Sequence, residues 1–318
     1  MRIRPALARL PGFGLLFLAV VVLAALAWLR WEAHRPGDAW LAERHGQLAD
    51  VTSERSVTAD GQLTERLVLI SDSGLQVAVR LLRDRRNDTP LPVLIVLGGH
   101  RTGSDAIDLF GDVGPRAVVG VDYPYDGPER VRGAAQTLGA IRPARRAILD
   151  TVPAVSLLID WLMRQSWVDT DRIVIVGASL GVPFAASAAA RDGRIAGAML
   201  VHGAADNRLW IEAQLASRVG AKALRYPVSV VLHWLAYGPV HDTREHVAAI
   251  APRPVVIVGA RADERTPAGQ AERLFELAGE PKRLRWTEGK HIEPDRPEII
   301  AALLQIADEE FDFLTQGR

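Results

Sequence analysis

No cysteine occurs among the 318 residues. Disulfides, thiolate metal sites and a lipidated-cysteine anchor are therefore excluded. Lysine is nearly missing as well. Of 38 basic residues only Lys222, Lys282 and Lys290 are lysines, an arginine bias that points to GC-rich coding more than to a binding surface. The 38 acidic residues cancel the 38 basic ones, so no charge excess marks a nucleic-acid footprint and no such partner is expected. No internal repeat divides the chain. What remains is a length that can bury a large core, commonly as one α/β domain.

The most informative stretch is Gly177-Ala178-Ser179-Leu180-Gly181. Before it, Ile173, Val174, Ile175 and Val176 form a β-branched apolar run that predicts a buried parallel strand. After it, residues 182–190 are small and helix-forming, with Pro183 in the first turn, where a missing N–H breaks no helical bond. Strand, G-x-S-x-G, helix is the setting of a nucleophile elbow. The serine sits on a sharp turn at the strand end, and the glycines leave room for the tight backbone. An unassisted serine hydroxyl is a poor nucleophile near neutral pH, so the pattern calls for a base and an orienting acid.

Both follow. Val255, Val256, Ile257 and Val258 predict another buried strand, and Asp263 with Glu264 lies just past its carboxyl end, where open α/β sheets collect functional groups. Residues 283–287 predict a short strand leading into a loop that ends at His291, the last of eight histidines. Histidine titrates near neutrality, so it can take the serine proton and return it to a leaving group, while a carboxylate fixes its tautomer. Ser179, Asp263, His291 is the chain order of nucleophile, acid and base. Glu264 competes beside Asp263. Asp206, shortly past a predicted strand at 195–202, is the runner-up acid.

Taken together, these motifs resemble the α/β-hydrolases over about residues 60–315. The stretch 242–254, leading into the acid-bearing strand, is similar to bacterial members near the dienelactone-hydrolase and prolyl-oligopeptidase-like branches. No propeller-sized region precedes it, which argues against an oligopeptidase proper. The resemblance implies an α/β-hydrolase fold: a mostly parallel central sheet with helices on both faces. It favours Asp263 over Glu264, because the family's acid stands four residues before a proline, as Asp263 stands to Pro267.

An oxyanion hole is the remaining requirement. One donor is expected to be the backbone N–H of Leu180, at a helix N-terminus whose dipole favours negative charge. The other is expected from the loop at His100 or Arg101, after a predicted strand at 92–97. Related enzymes carry a His-Gly pair here, and this chain has Gly98-Gly99. The His100 side chain reads as a pocket wall.

The N-terminus is the second informative segment. Arg2, Arg4 and Arg9 precede twenty uncharged, mostly apolar residues, 10–29, enough to span the hydrocarbon core as a helix. Trp28 and Trp31 fall at the far interface. The arginines favour a cytoplasmic N-terminus with the catalytic part outside. Ala25-Leu26-Ala27 has the small-x-small form of a cleavage site, so a cleaved signal is the alternative to an anchor, and either exports the chain.

The expected organisation is thus residues 1–30 as membrane anchor or signal, 31–60 as linker with a short helix at 40–48, and 61–318 as the hydrolase domain. Within that domain, residues 63–70 and 75–82 predict a hairpin, 117–122 a buried strand and 144–165 a long helix interrupted or kinked near Pro153. Residues 268–278 and 297–313 predict closing amphipathic helices. Between about 206 and 244 there is more chain than a crossover needs, helical and unusually apolar at 226–237. It is expected to cap the site and to line an acyl pocket or rest on the membrane.

The function expected is cleavage of an ester-like bond in a small or lipid-like acyl substrate through an acyl-enzyme, with no metal or organic cofactor. A thioesterase or serine peptidase with the same triad is the alternative enzyme. A catalytically silent binding or scaffold protein is the alternative of another class.

Overall fold

The structure, a computed structural model, describes residues 12–57, 61–84, 89–99, 102–128 and 133–316. Among these, nine strands form one sheet: β1 (Leu48–Val57), β2 (Gln62–Ser71), β3 (Gln76–Asp84), β4 (Leu91–Leu97), β5 (Ala117–Val121), β6 (Val168–Ala178), β7 (Gly197–Val201), β8 (Val255–Ala260) and β9 (Lys282–Thr287). Their spatial order is β1-β2-β3-β5-β4-β6-β7-β8-β9. The first three pair antiparallel and β3 meets β5 antiparallel, while every pair from β5 through β9 is parallel.

The parallel strands explain themselves. Every residue of β4, β5, β7 and β8 is buried, and their apolar runs do not alternate with polar residues because helices cover both faces. On one face Val93, Ile95 and Leu97 pack with α3 (Gly133–Leu162), α4 (Gly181–Arg191), α7 (Thr243–Ala249) and α8 (Gln270–Leu277). On the other, Leu94, Val96, Val174 and Val176 pack with α9 (Pro297–Thr315) and the 3-10 turn Gly103–Leu109. Two more helices, α5 (Asn207–Leu215) and α6 (Lys222–Leu235), occupy the stretch expected as an insertion.

Two elements differ from expectation. The stretch 31–60, expected as a linker with a short helix at 40–48, holds that helix as α2 (Asp38–His45) but also strand β1, which pairs with β2 from Leu48↔Ser71 to Val57↔Leu63. No β1 residue is fully buried, so its side chains carry no alternation, and the strand is held by main-chain bonds along the sheet edge. Helix α3 begins at Gly133, well before residue 144, and runs through both Pro143 and Pro153. Gly139 and Pro143 disguise its first half, since both are poor helix formers.

Helix α1 (Gly12–His34) stands largely outside the core. Its segment Gly14–His34 has mean hydropathy 2.2 and is long and apolar enough to cross a membrane by length and composition.

Candidate active site

Ser179 lies between the end of β6 and the start of α4, with φ 53°, a left-handed conformation rarely adopted by a residue with a side chain. Its neighbours make that turn possible. A Cβ on Gly177 would sit 2.6 Å from the Gly181 carbonyl oxygen, and one on Gly181 would sit 2.2 Å from the Leu97 carbonyl oxygen of β4. Only glycine fits at either place. The Ser179 N–H donates to the Val201 carbonyl of β7 at 2.9 Å, so the turn is tied to the strands on both sides.

The acid and the histidine arrive on the loops after β8 and β9. His291 Nε2 lies 2.8 Å from Ser179 Oγ, and His291 Nδ1 lies 3.0 and 3.1 Å from the two Asp263 oxygens. The imidazole is buried, with 1% of its side-chain surface exposed, and Asp263 retains 10%. Burial acts to raise the Asp263 pKa. The His291 ring and the backbone N–H groups of Thr266 and Arg265, each 2.8 Å from Oδ1, outweigh it and hold the carboxyl below its ordinary value. A charged Asp263 places the ring proton on Nδ1, leaving Nε2 free to accept from the serine.

Neither competing acid reaches the ring. Glu264 accepts from the His291 backbone N–H at 3.0 Å and pairs with Arg296 at 2.7 Å, so it fastens the loop that carries the histidine. Asp206 caps α5 by accepting from the Leu209 N–H at 2.9 Å and faces Arg244 at 3.3 Å.

A family model described as the prolyl oligopeptidase family matches residues 150–286, a stretch that holds Ser179 and Asp263 and stops short of His291. Among solved structures, acetyl xylan esterase 1 from Thermoanaerobacterium sp. JW/SL YS485 is 15% identical with a TM-score of 0.59, covering 87% of this chain and 93% of its own. An acetyl xylan esterase from Paenibacillus sp. R4 is 16% identical with a TM-score of 0.58, covering 82% of this chain and 89% of its own. A cold-adapted esterase from an Arctic intertidal metagenomic library is 16% identical with a TM-score of 0.56, covering 82% of this chain and 99% of its own. No curated protein is significantly similar in sequence. The strand order, the elbow after β6 and these likenesses agree.

The chain has the α/β-hydrolase fold.

Within this fold, Leu180 sits at the N-terminus of α4, beside Ser179. Of the expected oxyanion loop, His100 and Arg101 lie outside the described residues. Gly99 is described and runs close by: a Cβ there would be 3.9 Å from the Ser179 Cβ. Two residues that sequence reasoning missed hold this loop. The Tyr123 hydroxyl donates to the Gly98 carbonyl at 2.7 Å, and burial pushes its pKa up, keeping it a neutral donor. The Asp122 carboxylate accepts from the Ser104 N–H at 2.7 Å and from its hydroxyl at 2.9 Å. Both follow β5, and the only signal available was their place at a strand's carboxyl end.

A third missed residue is His202, at the end of β7, with φ 51°. Its Nδ1 accepts from the Ile292 N–H at 2.9 Å and its Nε2 meets Thr287 Oγ1 at 2.9 Å, so it braces both ends of the loop bearing His291. The two rings lie 5.6 Å apart. Burial, reinforced by His291, lowers the His202 pKa to about 4, so His202 stays uncharged near neutrality. His202, Asp263 and His291 bring ligand-type atoms within 4.8 Å of one another. Each ring nitrogen of that trio already has a hydrogen-bond partner.

Two cavities meet at Ser179. One, of about 700 Å³, includes Gly98, Gly99, Phe110, Met199, Leu303 and His291. The other, of about 750 Å³, includes Tyr123, Ile148, Phe184, Ala204 and His233. Ser179, Leu180, Trp210 and Ile211 border both, so α5 stands over the serine where the two spaces join. Both spaces are mainly apolar-walled, as small-molecule sites commonly are.

Proposed function

We propose that this protein is a serine hydrolase acting on a carboxylic ester whose acyl and alcohol parts occupy the two cavities. The observation that carries the reading is the 2.8 Å contact of Ser179 Oγ with His291 Nε2, backed by Asp263 on Nδ1. Ser179 Oγ attacks the acyl carbonyl carbon as its proton passes to Nε2. The oxyanion is held by the Leu180 N–H, with its second donor from the loop after β4 at His100 or Arg101. Collapse breaks the bond to the alcohol oxygen, which leaves with the proton from Nε2. Water, deprotonated by His291, then attacks the acyl-enzyme and releases the acid. No step calls on a metal or organic cofactor.

A fluorophosphonate probe, which phosphorylates an activated serine, should label the wild type and leave Ser179→Ala unlabelled. Equal labelling of both would move the nucleophile elsewhere, and an unlabelled wild type would favour a silent binding protein. The family match over 150–286 also supports a peptidase reading, because the same three residues can break an amide. Measured side by side, an aryl ester should turn over faster than a peptide anilide, and the opposite ranking would make peptidase the better reading.

The apolar α1 supports a membrane-anchored enzyme with its catalytic part outside the cytoplasm. Alkaline phosphatase fused after residue 60 should then be active, and the full chain should resist alkaline carbonate extraction. A mature N-terminus at Trp28 would replace the anchor with a cleaved signal. An inactive fusion would count against both.

A further inference from the structure

The end of α1 is not on a tether. Glu32 accepts from the Tyr237 hydroxyl at 2.8 Å and from Arg145 at 2.7 Å, while Arg145 also donates to the Leu235 carbonyl at 3.0 Å and lies over the Tyr237 ring at 4.5 Å. Ala33 is completely buried, and Leu26 and Leu29, on the same helical stripe, are half-buried. The helix therefore docks on α6 over its last two turns. If α1 crosses a bilayer, these turns lie at its surface and hold the C-terminal end of α6 there.

What the first turns of α6 expose suits a lipid surface. Leu224 and Tyr226 are 55% and 59% exposed, and Lys222 and Pro227 are exposed beside them. From Ala213 to His241 there is no aspartate or glutamate, whereas Arg218, Lys222 and Arg225 are cationic. The first half of α3 repeats the pattern. From Gly133 to Leu149 it has no acid, and it exposes Leu138 at 69% and Ile141 at 37%. Apolar faces flanked by cations, with tyrosine among them, are what interfacial helices present to anionic bilayers.

The same two helices wall the second cavity. Ala140, Ala144 and Ile148 of α3 and His233 of α6 line it, and it ends on Ser179. Resting on the hydrolase reading above, we propose that the substrate is an amphiphilic ester resident in the bilayer, which reaches Ser179 through the second cavity from a membrane on which α6 and the start of α3 lie. The anchor then orients the enzyme toward its substrate as well as retaining it.

The test uses the full chain reconstituted in vesicles of phosphatidylcholine with phosphatidylglycerol. A fluorogenic long-chain ester is embedded in the vesicles, and a water-soluble short aryl ester is assayed in parallel. The double variant Lys222→Glu with Leu224→Glu, and separately Leu138→Glu, should lower hydrolysis of the embedded ester about tenfold or more while changing the soluble-ester rate and probe labelling less than about twofold. Equal rates of wild type and variants on the embedded ester would overturn the proposal, and would be the result if a protein partner covered this face. If both rates fell together, the milder Lys222→Ser with Leu224→Ser decides: a selective loss supports the proposal and a parallel or absent one overturns it. A wild type that neither hydrolyses the soluble ester nor takes the probe would instead refute the hydrolase reading itself.

Discussion

Ser179→Ala and His291→Ala should each lower kcat for a short-chain aryl ester about a thousandfold or more. Either change removes one end of a single proton transfer, across the 2.8 Å contact from Ser179 Oγ to His291 Nε2. The two side chains therefore act as a unit, and the double variant should be hardly slower than either single one. Steady-state kinetics on the purified variants, with the soluble ester at saturation, reads both points. Near-normal turnover by His291→Ala would remove this histidine from the reaction.

The second large effect is expected at the acid. Asparagine at 263 keeps the shape of the side chain and can still accept from the Arg265 and Thr266 amides at Oδ1. Its NH₂ now faces Nδ1, however, which drives the ring proton to Nε2 and closes the acceptor that Ser179 needs. A loss on the order of a thousandfold in kcat is expected, without loss of fold. Asp206→Asn is the control. Asparagine caps a helix as well as aspartate does, so α5 keeps its N-terminal bond and activity should change by less than about twofold. Circular dichroism and ester kinetics on the pair check the ranking, and its reversal would transfer the orienting role to Asp206.

Ser179 and Asp263 were legible in the sequence because each follows an apolar run: Ser179 closes β6 and Asp263 follows β8, and buried parallel strands write themselves as unbroken Val, Ile and Leu. His291 follows β9, a mixed run of Lys, Arg, Leu, Trp and Thr, and was legible from the chain order of nucleophile, acid and base. Residues that hold the others in place carry no such mark. His202, Tyr123 and Asp122 act through hydrogen bonds to partners remote in the chain, such as Ile292, Gly98 and Ser104, and nothing local distinguishes them from other polar residues past a strand. Strand β1 was hidden for a related reason. It lies at the sheet edge with no buried side chain, so its main-chain pairing leaves no pattern in its side chains. The first half of α3 was hidden by Gly139 and Pro143, both poor helix formers.

The elbow has a consequence for how activity can be lost. Ser179 keeps its left-handed backbone because Gly181 leaves the room beside the Leu97 carbonyl that a side chain would fill and the Ser179 N–H reaches Val201, neighbours that belong to three strands spread from residue 91 to residue 201. An isolated chain segment gains nothing by holding that conformation and relaxes out of it. The proposed nucleophile is therefore expected to form only when the centre of the sheet is assembled, leaving a partly folded chain inert toward acyl groups.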